Sequence, residues 1–206
     1  MSAAFLEIFP DNPDKRVIAK VCEFLEKGGV VICPTDTVYA FMCDLKNKNA
    51  IEKMAKLKGV KAEKANFSML CSDLSNLAEY TLPFNNSIFR LMKNNLPGPF
   101  TFILNANSKV LKMFQNKKTI GIRVPENNIV KEIIASLGNP LLTTSIHDDD
   151  DIIDYTSDPA ILFERFSGTV EMVIDGGYGK NIPSTVIDCT QEEPTIVRQG
   201  AGIIDL

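Results

Sequence analysis

Histidine is nearly absent from this 206-residue chain and tryptophan is missing altogether; His147 is the one imidazole. A metal centre built on several imidazoles, or a Ser/His/Asp triad, is therefore hard to assemble. The five cysteines (Cys22, Cys33, Cys43, Cys71 and Cys189) are far apart, odd in number and without CxxC spacing, so they read as core thiols rather than disulfides or metal ligands. No apolar run approaches the roughly 18 residues of a membrane span, and Met1 to Pro10 has no basic segment followed by an apolar core. The expectation is a cytoplasmic protein with no membrane partner. Basic residues are also in short supply: 22 Lys and Arg against 26 Asp and Glu give a net charge of -4, which argues against nucleic-acid binding by bulk electrostatics and leaves only a local basic surface.

What is present is an ordinary globular composition, 45% hydrophobic and 23% charged, from which a single domain over residues 1–206 is expected. Its central stretch runs from Gly28 to Asp44. Val30 to Cys33 is a short β-branched run that suits a buried strand, Pro34 ends it, and Thr35, Asp36 and Thr37 form a polar turn. Such turns at strand ends are where ligands often sit in α/β sheets. Asn12-Pro13 predicts an N-cap with proline at the first helical position, for a helix that runs to Gly28-Gly29. Helices are also expected from Asn49 to Leu57, from Asp73 to Tyr80, after Asn85 or Asn86, from Ile129 to Leu137 and from Asp158-Pro159. Strands are expected at Leu6–Phe9, Phe67–Cys71, Phe100–Leu104, Leu141–Ser145, Glu171–Ile174, Ser184–Asp188 and Thr195–Gln199, and Lys117 to Pro125 combines a basic lead-in with an alternating segment that carries Thr119, Gly121 and Arg123 on one face. Strands and helices intermix without strict βαβ regularity. The fold class is therefore α/β, a twisted mixed sheet flanked by helices.

Four strand ends or turns carry the same chemical vocabulary: Thr35 and Thr37, Thr119 with Arg123, Thr144 and Ser145, Ser184 and Thr185. Arg198 adds a second guanidinium. Hydroxyls and planar guanidinium donors are what an anion needs on leaving water, because it must recover several charge-assisted hydrogen bonds. The pattern points to a nucleotide or oxyanion cleft. The run His147-Asp148-Asp149-Asp150-Asp151 reads as a solvated acidic loop rather than a divalent-ion site, since adjacent aspartates rarely converge on one ion. No metal site is assigned.

The segments Pro34-Thr35-Asp36-Thr37-Val38-Tyr39, the Lys58 region, Pro97 to Phe102, Thr119 to Pro125, Thr143-Thr144-Ser145, Pro183 to Asp188 and Val197 to Gly200 resemble, in order and wording, the YrdC/YciO family. Its best-known members are threonylcarbamoyl-AMP synthases of tRNA modification. The resemblance implies a YrdC-like fold with a concave cleft, and a nucleotidyltransferase joining ATP, L-threonine and bicarbonate into threonylcarbamoyl-AMP with release of pyrophosphate. It implies Thr35, Arg123, Ser145 and Ser184 as substrate-binding residues, Lys58, Thr119, His147 and Arg198 as nucleotide-binding residues, and Arg123 and Lys58 as the catalytic pair. ATP enters as a substrate, with Mg2+ expected on its triphosphate.

Departures from the synthase pattern place the chain nearer the YciO branch. Val60 stands where the synthases carry a phosphate-clamping arginine, and His147 where they carry asparagine. The same resemblance also implies an alternative, double-stranded RNA or tRNA bound on a surface built from Lys56, Lys58, Lys61, Lys64, Lys117, Lys118, Arg123 and Arg198. Binding of that kind would be largely sequence-independent and salt-sensitive. A different phosphate-ester enzyme on the same scaffold stays open, since a fold does not fix its reaction.

Overall fold

In the computed structural model, residues 3–113, 117–146 and 157–206 are described. Ten strands form one mixed sheet: β1 (Ala4–Glu7), β2 (Val31–Cys33), β3 (Ala40–Asp44), β4 (Ser68–Leu70), β5 (Phe100–Asn105), β6 (Thr119–Arg123), β7 (Leu141–Ser145), β8 (Met172–Asp175), β9 (Thr185–Asp188) and β10 (Thr195–Arg198). Their spatial order is β1-β8-β2-β3-β7-β4-β6-β5-β9-β10. Four parallel pairs (β1 with β8, β2 with β8, β4 with β6, β5 with β9) are mixed with five antiparallel ones, as the irregular intermixing of elements predicts.

The helices are α1 (Lys15–Glu26), α2 (Lys48–Leu57), α3 (Asn86–Asn95), α4 (Ser108–Met113), α5 (Asn128–Leu137) and α6 (Pro159–Phe166). Short Asp and Asn side chains start most of them: Asp14, Asn47, Asn85, Asn127 and Asp158 each accept a hydrogen bond from a first-turn amide. Gly138 ends α5 at φ 70, a left-handed cap that a glycine adopts without strain.

Several boundaries differ from the sequence reading. Helix α1 is capped by Asp14 rather than Asn12, because the Asp14 carboxylate reaches the Arg16 amide at 2.7 Å. Strand β1 begins at Ala4, two residues before the expected Leu6, since its partner in register is Met172–Asp175. Asp73 accepts from the Ser75 amide and closes a tight turn instead of capping an α-helix; only a 3-10 turn, Leu77–Glu79, follows. Neither β3 nor α4 was foreseen. Strand β3, Ala-Phe-Met-Cys-Asp, is buried on both faces and so shows no period-2 alternation.

Alternation along the strands divides the apolar side chains between two cores. One face of the sheet packs Ile32, Phe41, Met69, Phe102 and Ile122 against Ile51 and Met54 of α2, Ile88 and Met92 of α3, Val110 of α4 and Leu162 of α6. The other face packs Val31, Met42, Leu70, Leu141 and Met172 against Val21 and Leu25 of α1 and Ile129 and Ile133 of α5. Each large aliphatic side chain so buried contributes roughly 1.5–3 kcal/mol. All five cysteines lie free within the protein, and burial pushes the Cys71 and Cys189 thiols up to about 12. Helices α1 and α5 cover only part of their face. The remainder, over the ends of β7 and β4 and along β6, β5, β9 and β10, is concave and open. No helix among the described residues is long and apolar enough to cross a membrane.

Candidate functional site

The uncovered part of the sheet holds a cleft of about 390 Å3, within the range of small-molecule sites. Strand register builds its floor. Thr143, Ser68, Gly121 and Ile103 stand side by side on four neighbouring strands, β7, β4, β6 and β5. One row further on, Arg123 belongs with Thr101, Val186 and Arg198. Gly121 is required by close approach: a Cβ there would lie 2.6 Å from Ser68 Oγ and 3.0 Å from a Thr101 methyl. Lys117, Arg123 and Arg198 all line the cleft, and no Asp or Glu does among the described residues. In a chain of net charge -4, that segregation gives the cleft wall a local positive charge.

At the deep end, Arg123 is 7% exposed. Its Nη2 donates to Asp36 Oδ1 at 2.8 Å and to Thr37 Oγ1 at 3.0 Å. The proton order follows from the hydroxyl chemistry. Thr35 Oγ1 donates to the Val38 carbonyl at 2.8 Å, so in the 3.1 Å contact between the two threonines Thr37 is the donor, and its lone pairs are left to accept from Arg123. Thr35 Oγ1 also accepts from the Thr37 amide at 3.0 Å. The Pro34-Thr35-Asp36-Thr37 turn is thus a socket for one guanidinium. Both Nη2 protons are committed to it, while Arg123 Nε and Asp36 Oδ2 are buried without a hydrogen-bond partner among the described residues. Burial lowers the Arg123 pKa, the Asp36 carboxylate opposes that, and the nearby Arg198 charge lowers it further. A guanidinium nonetheless stays protonated at any physiological pH.

The socket is itself tied down from behind. Tyr39 Oη donates to the Gly177 carbonyl at 2.7 Å and accepts from the Gly176 amide at 3.1 Å, and the Lys180 amide donates to the Thr37 carbonyl at 3.1 Å. The Gly176–Gly179 segment thus braces the turn. A Cβ on Gly179 would strike the Tyr39 ring at 2.7 Å.

The residues singled out from sequence are distributed unevenly about the cleft. Thr119, Arg123, Ser145, Ser184 and Arg198 line it. Ser184 Oγ lies 2.8 Å from Thr101 Oγ1, and Arg198 Nη2 donates to the Ser184 carbonyl at 2.8 Å, drawing β9 and β10 together at the rim. Thr35 sits behind Arg123 and does not line the cavity. Thr185 turns away to accept from the Gly200 amide and donate to the Gly202 carbonyl, mooring the C-terminal segment. Lys58 caps the end of α2 and its Nζ donates to the Ser145 and Ile146 carbonyls at 2.8 and 3.2 Å, outside the cavity lining. Val60 also lies outside it, 40% exposed. His147 and the aspartates that follow it are outside the described residues.

Sequence reasoning missed Asp36 as the partner of Arg123, and Ser68 and Asn66 as lining residues. The Asp36 pairing joins positions 87 apart, and no local pattern signals it. Among the described residues no group of three or more His, Cys, Asp or Glu is arranged to hold a metal ion.

A family model, Sua5/YciO/YrdC, described as telomere recombination, matches residues 23–200. The uncharacterized protein YciO of Escherichia coli K12 is 41% identical over 201 residues, covering 96% of this chain and 96% of its own length. The crystal structure of E. coli YciO aligns with a TM-score of 0.88 at 40% identity, over 98% of this chain and 97% of that one. The threonylcarbamoyl-AMP synthase of Bacillus subtilis (strain 168) is 27% identical over 189 residues, which are 89% of this chain and 53% of that protein. P. abyssi Sua5, crystallised in complex with L-threonine, shares the fold with a TM-score of 0.86 at 24% identity, over 96% of this chain and 58% of that one.

Proposed function

The chain belongs to the Sua5/YciO/YrdC family, and from that premise we propose that its cleft binds ATP together with L-threonine and joins them, with bicarbonate, as an L-threonylcarbamoyladenylate synthase. The observation that carries this reading is the composition of the cleft wall: Lys117, Arg123 and Arg198 with a ring of hydroxyls, and no carboxylate among the described residues. The relative that supports the choice of reaction is the B. subtilis threonylcarbamoyl-AMP synthase.

The chemistry suits such a wall. The threonine amine and bicarbonate condense to a carbamate with loss of water. A carbamate oxygen then attacks the α-phosphorus, the bond from that phosphorus to the bridging oxygen breaks, and pyrophosphate leaves with the electron pair. The nucleophile is already anionic, so no imidazole base is needed. What remains for the protein is to align two anions and stabilise the charge that builds on the phosphoryl oxygens. Arg123, oriented by Asp36 and Thr37, holds the threonine carboxylate. Ser145 and Ser184 offer hydroxyls to the carbamate, while Thr119 and Arg198 hold the nucleotide. Thr35 acts through Thr37, setting the direction of its lone pairs. Among the described residues the cleft wall carries no carboxylate, so Mg2+ would be held by the triphosphate itself, where it would neutralise phosphate charge. The adenylate formed would serve as an activated donor for tRNA modification.

Duplex RNA is a weaker reading of the same residues. Arg123 is too buried to meet a phosphate backbone, Lys58 is directed at the Ser145 and Ile146 carbonyls, and Lys117 is turned into the cleft. Those three belong to the basic set on which the RNA surface depends. Pyrophosphate release on mixing the protein with ATP, Mg2+, L-threonine and bicarbonate tests the proposal; release that needs threonine supports it. Threonine-independent release, or none, counts against it.

A further inference from the structure

Lys117 and Arg123 stand at opposite ends of the cleft and are electrically unlike. Strand β6 lies between them. Its Thr119 and Arg123 are four residues apart, so their Cα atoms are separated by about 13 Å at the usual rise of a strand. Arg123 has its charge met by Asp36. Among the described residues Lys117 is met by neutral oxygens: its Nζ donates to the Ala65 carbonyl and, at 3.1 Å, to Asn66 Oδ1. No carboxylate pairs with it among the described residues, and none lines the cleft around it. Its side chain is half-buried, and burial lowers its pKa because the charged form has lost water.

A lysine held by two neutral acceptors, partly desolvated and facing a cavity with no carboxylate among its described lining residues, favours any anion that reaches it. Lysine acts there as a mobile point charge, suited to phosphate oxygens whose positions change during reaction. We infer that Lys117, with Asn66 beside it, is the contact for the phosphate chain of the nucleotide, at the far end of the cleft from the carboxylate site at Arg123. The inference rests on the ATP reading above and adds a residue and a polarity to it: phosphates at the start of β6, amino-acid carboxylate at its end.

Calorimetric titration of the full chain with ATP, adenosine, L-threonine and inorganic tripolyphosphate decides the matter, on wild type, Lys117→Gln and Lys117→Arg. Lys117→Gln is expected to weaken ATP and tripolyphosphate by about 10-fold to 100-fold, the loss of one hydrogen bond to a charged group, while adenosine and threonine change by less than about 3-fold. Lys117→Arg is expected to restore most of the phosphate affinity, since it keeps the charge. Unchanged ATP and tripolyphosphate binding in Lys117→Gln overturns the inference, as does an equal loss for adenosine and ATP. If wild type binds tripolyphosphate through Lys117 but not ATP, the nucleotide reading fails and the anion site stands. If wild type binds neither, both fail.

Discussion

Strand β7 passes through two environments without changing face. Leu141 lies beneath α5 in a fully apolar core; Thr143 and Ser145, two and four residues on and pointing the same way, line the cleft. Strand β4 makes the same change in the reverse direction, with Leu70 under the helices and Ser68 on the cavity floor. Where α1 and α5 stop, the side chains switch from aliphatic to hydroxyl. The covered half of this sheet face packs an apolar core, and the open half lines the cleft with hydroxyl and guanidinium groups. Mutations in the two halves should therefore separate stability from binding.

The largest effect is expected at Arg123, where that separation is most at risk. Arg123→Ala should lower adenylate formation by at least about 100-fold, the scale of losing a preorganised charged donor. It should also cost on the order of 3–5 kcal/mol of stability, because Asp36 would be left buried with no counter-charge. In Arg123→Ala with Asp36→Asn, urea denaturation should show much of that stability regained while activity stays lost. Activity that returns in the double variant would make the arginine structural. Next comes the covered half: Leu141→Ala should cost about 2–5 kcal/mol by denaturation, with ligand affinity of the folded protein unchanged. A shift in affinity there would mean that the two halves are mechanically coupled.

Gly121→Ala probes the open half with a smaller change. The added methyl meets Ser68 Oγ and Thr101 on the cavity floor, and ATP or threonine affinity should fall about 10-fold, read by calorimetry, as in a mildly overpacked site. Smallest is Asn127→Ala, which removes the cap of α5 and should cost about 1 kcal/mol of stability with no change in binding.

How much of this was legible in the sequence depends on the range of the interaction. The alternation of Thr119, Gly121 and Arg123 was readable because side-chain direction in a strand has period 2, and all three do face the cleft. The amphipathic pattern of α5 was readable for the same local reason. Strand β3 was not, since burial on both faces erases its alternation, and α4 was too short to show a period. The role of Thr35 was half visible. Its place in a strand-end turn was clear, but its three local hydrogen bonds, which tie it to Thr37 and Val38 within its own turn, are a matter of geometry. Likewise Lys117 read as part of a basic lead-in, and only the fold shows it bent toward Ala65 and Asn66. Contacts that span tens of residues leave no periodic trace.

The most direct test of the central claim is mass spectrometry of the purified protein incubated with ATP, Mg2+, L-threonine and bicarbonate, alongside the Arg123→Ala, Asp36→Asn double variant. The account predicts threonylcarbamoyl-AMP from the wild type and none from the variant. Equal product from both proteins, or none from a wild type shown to be folded, would contradict it.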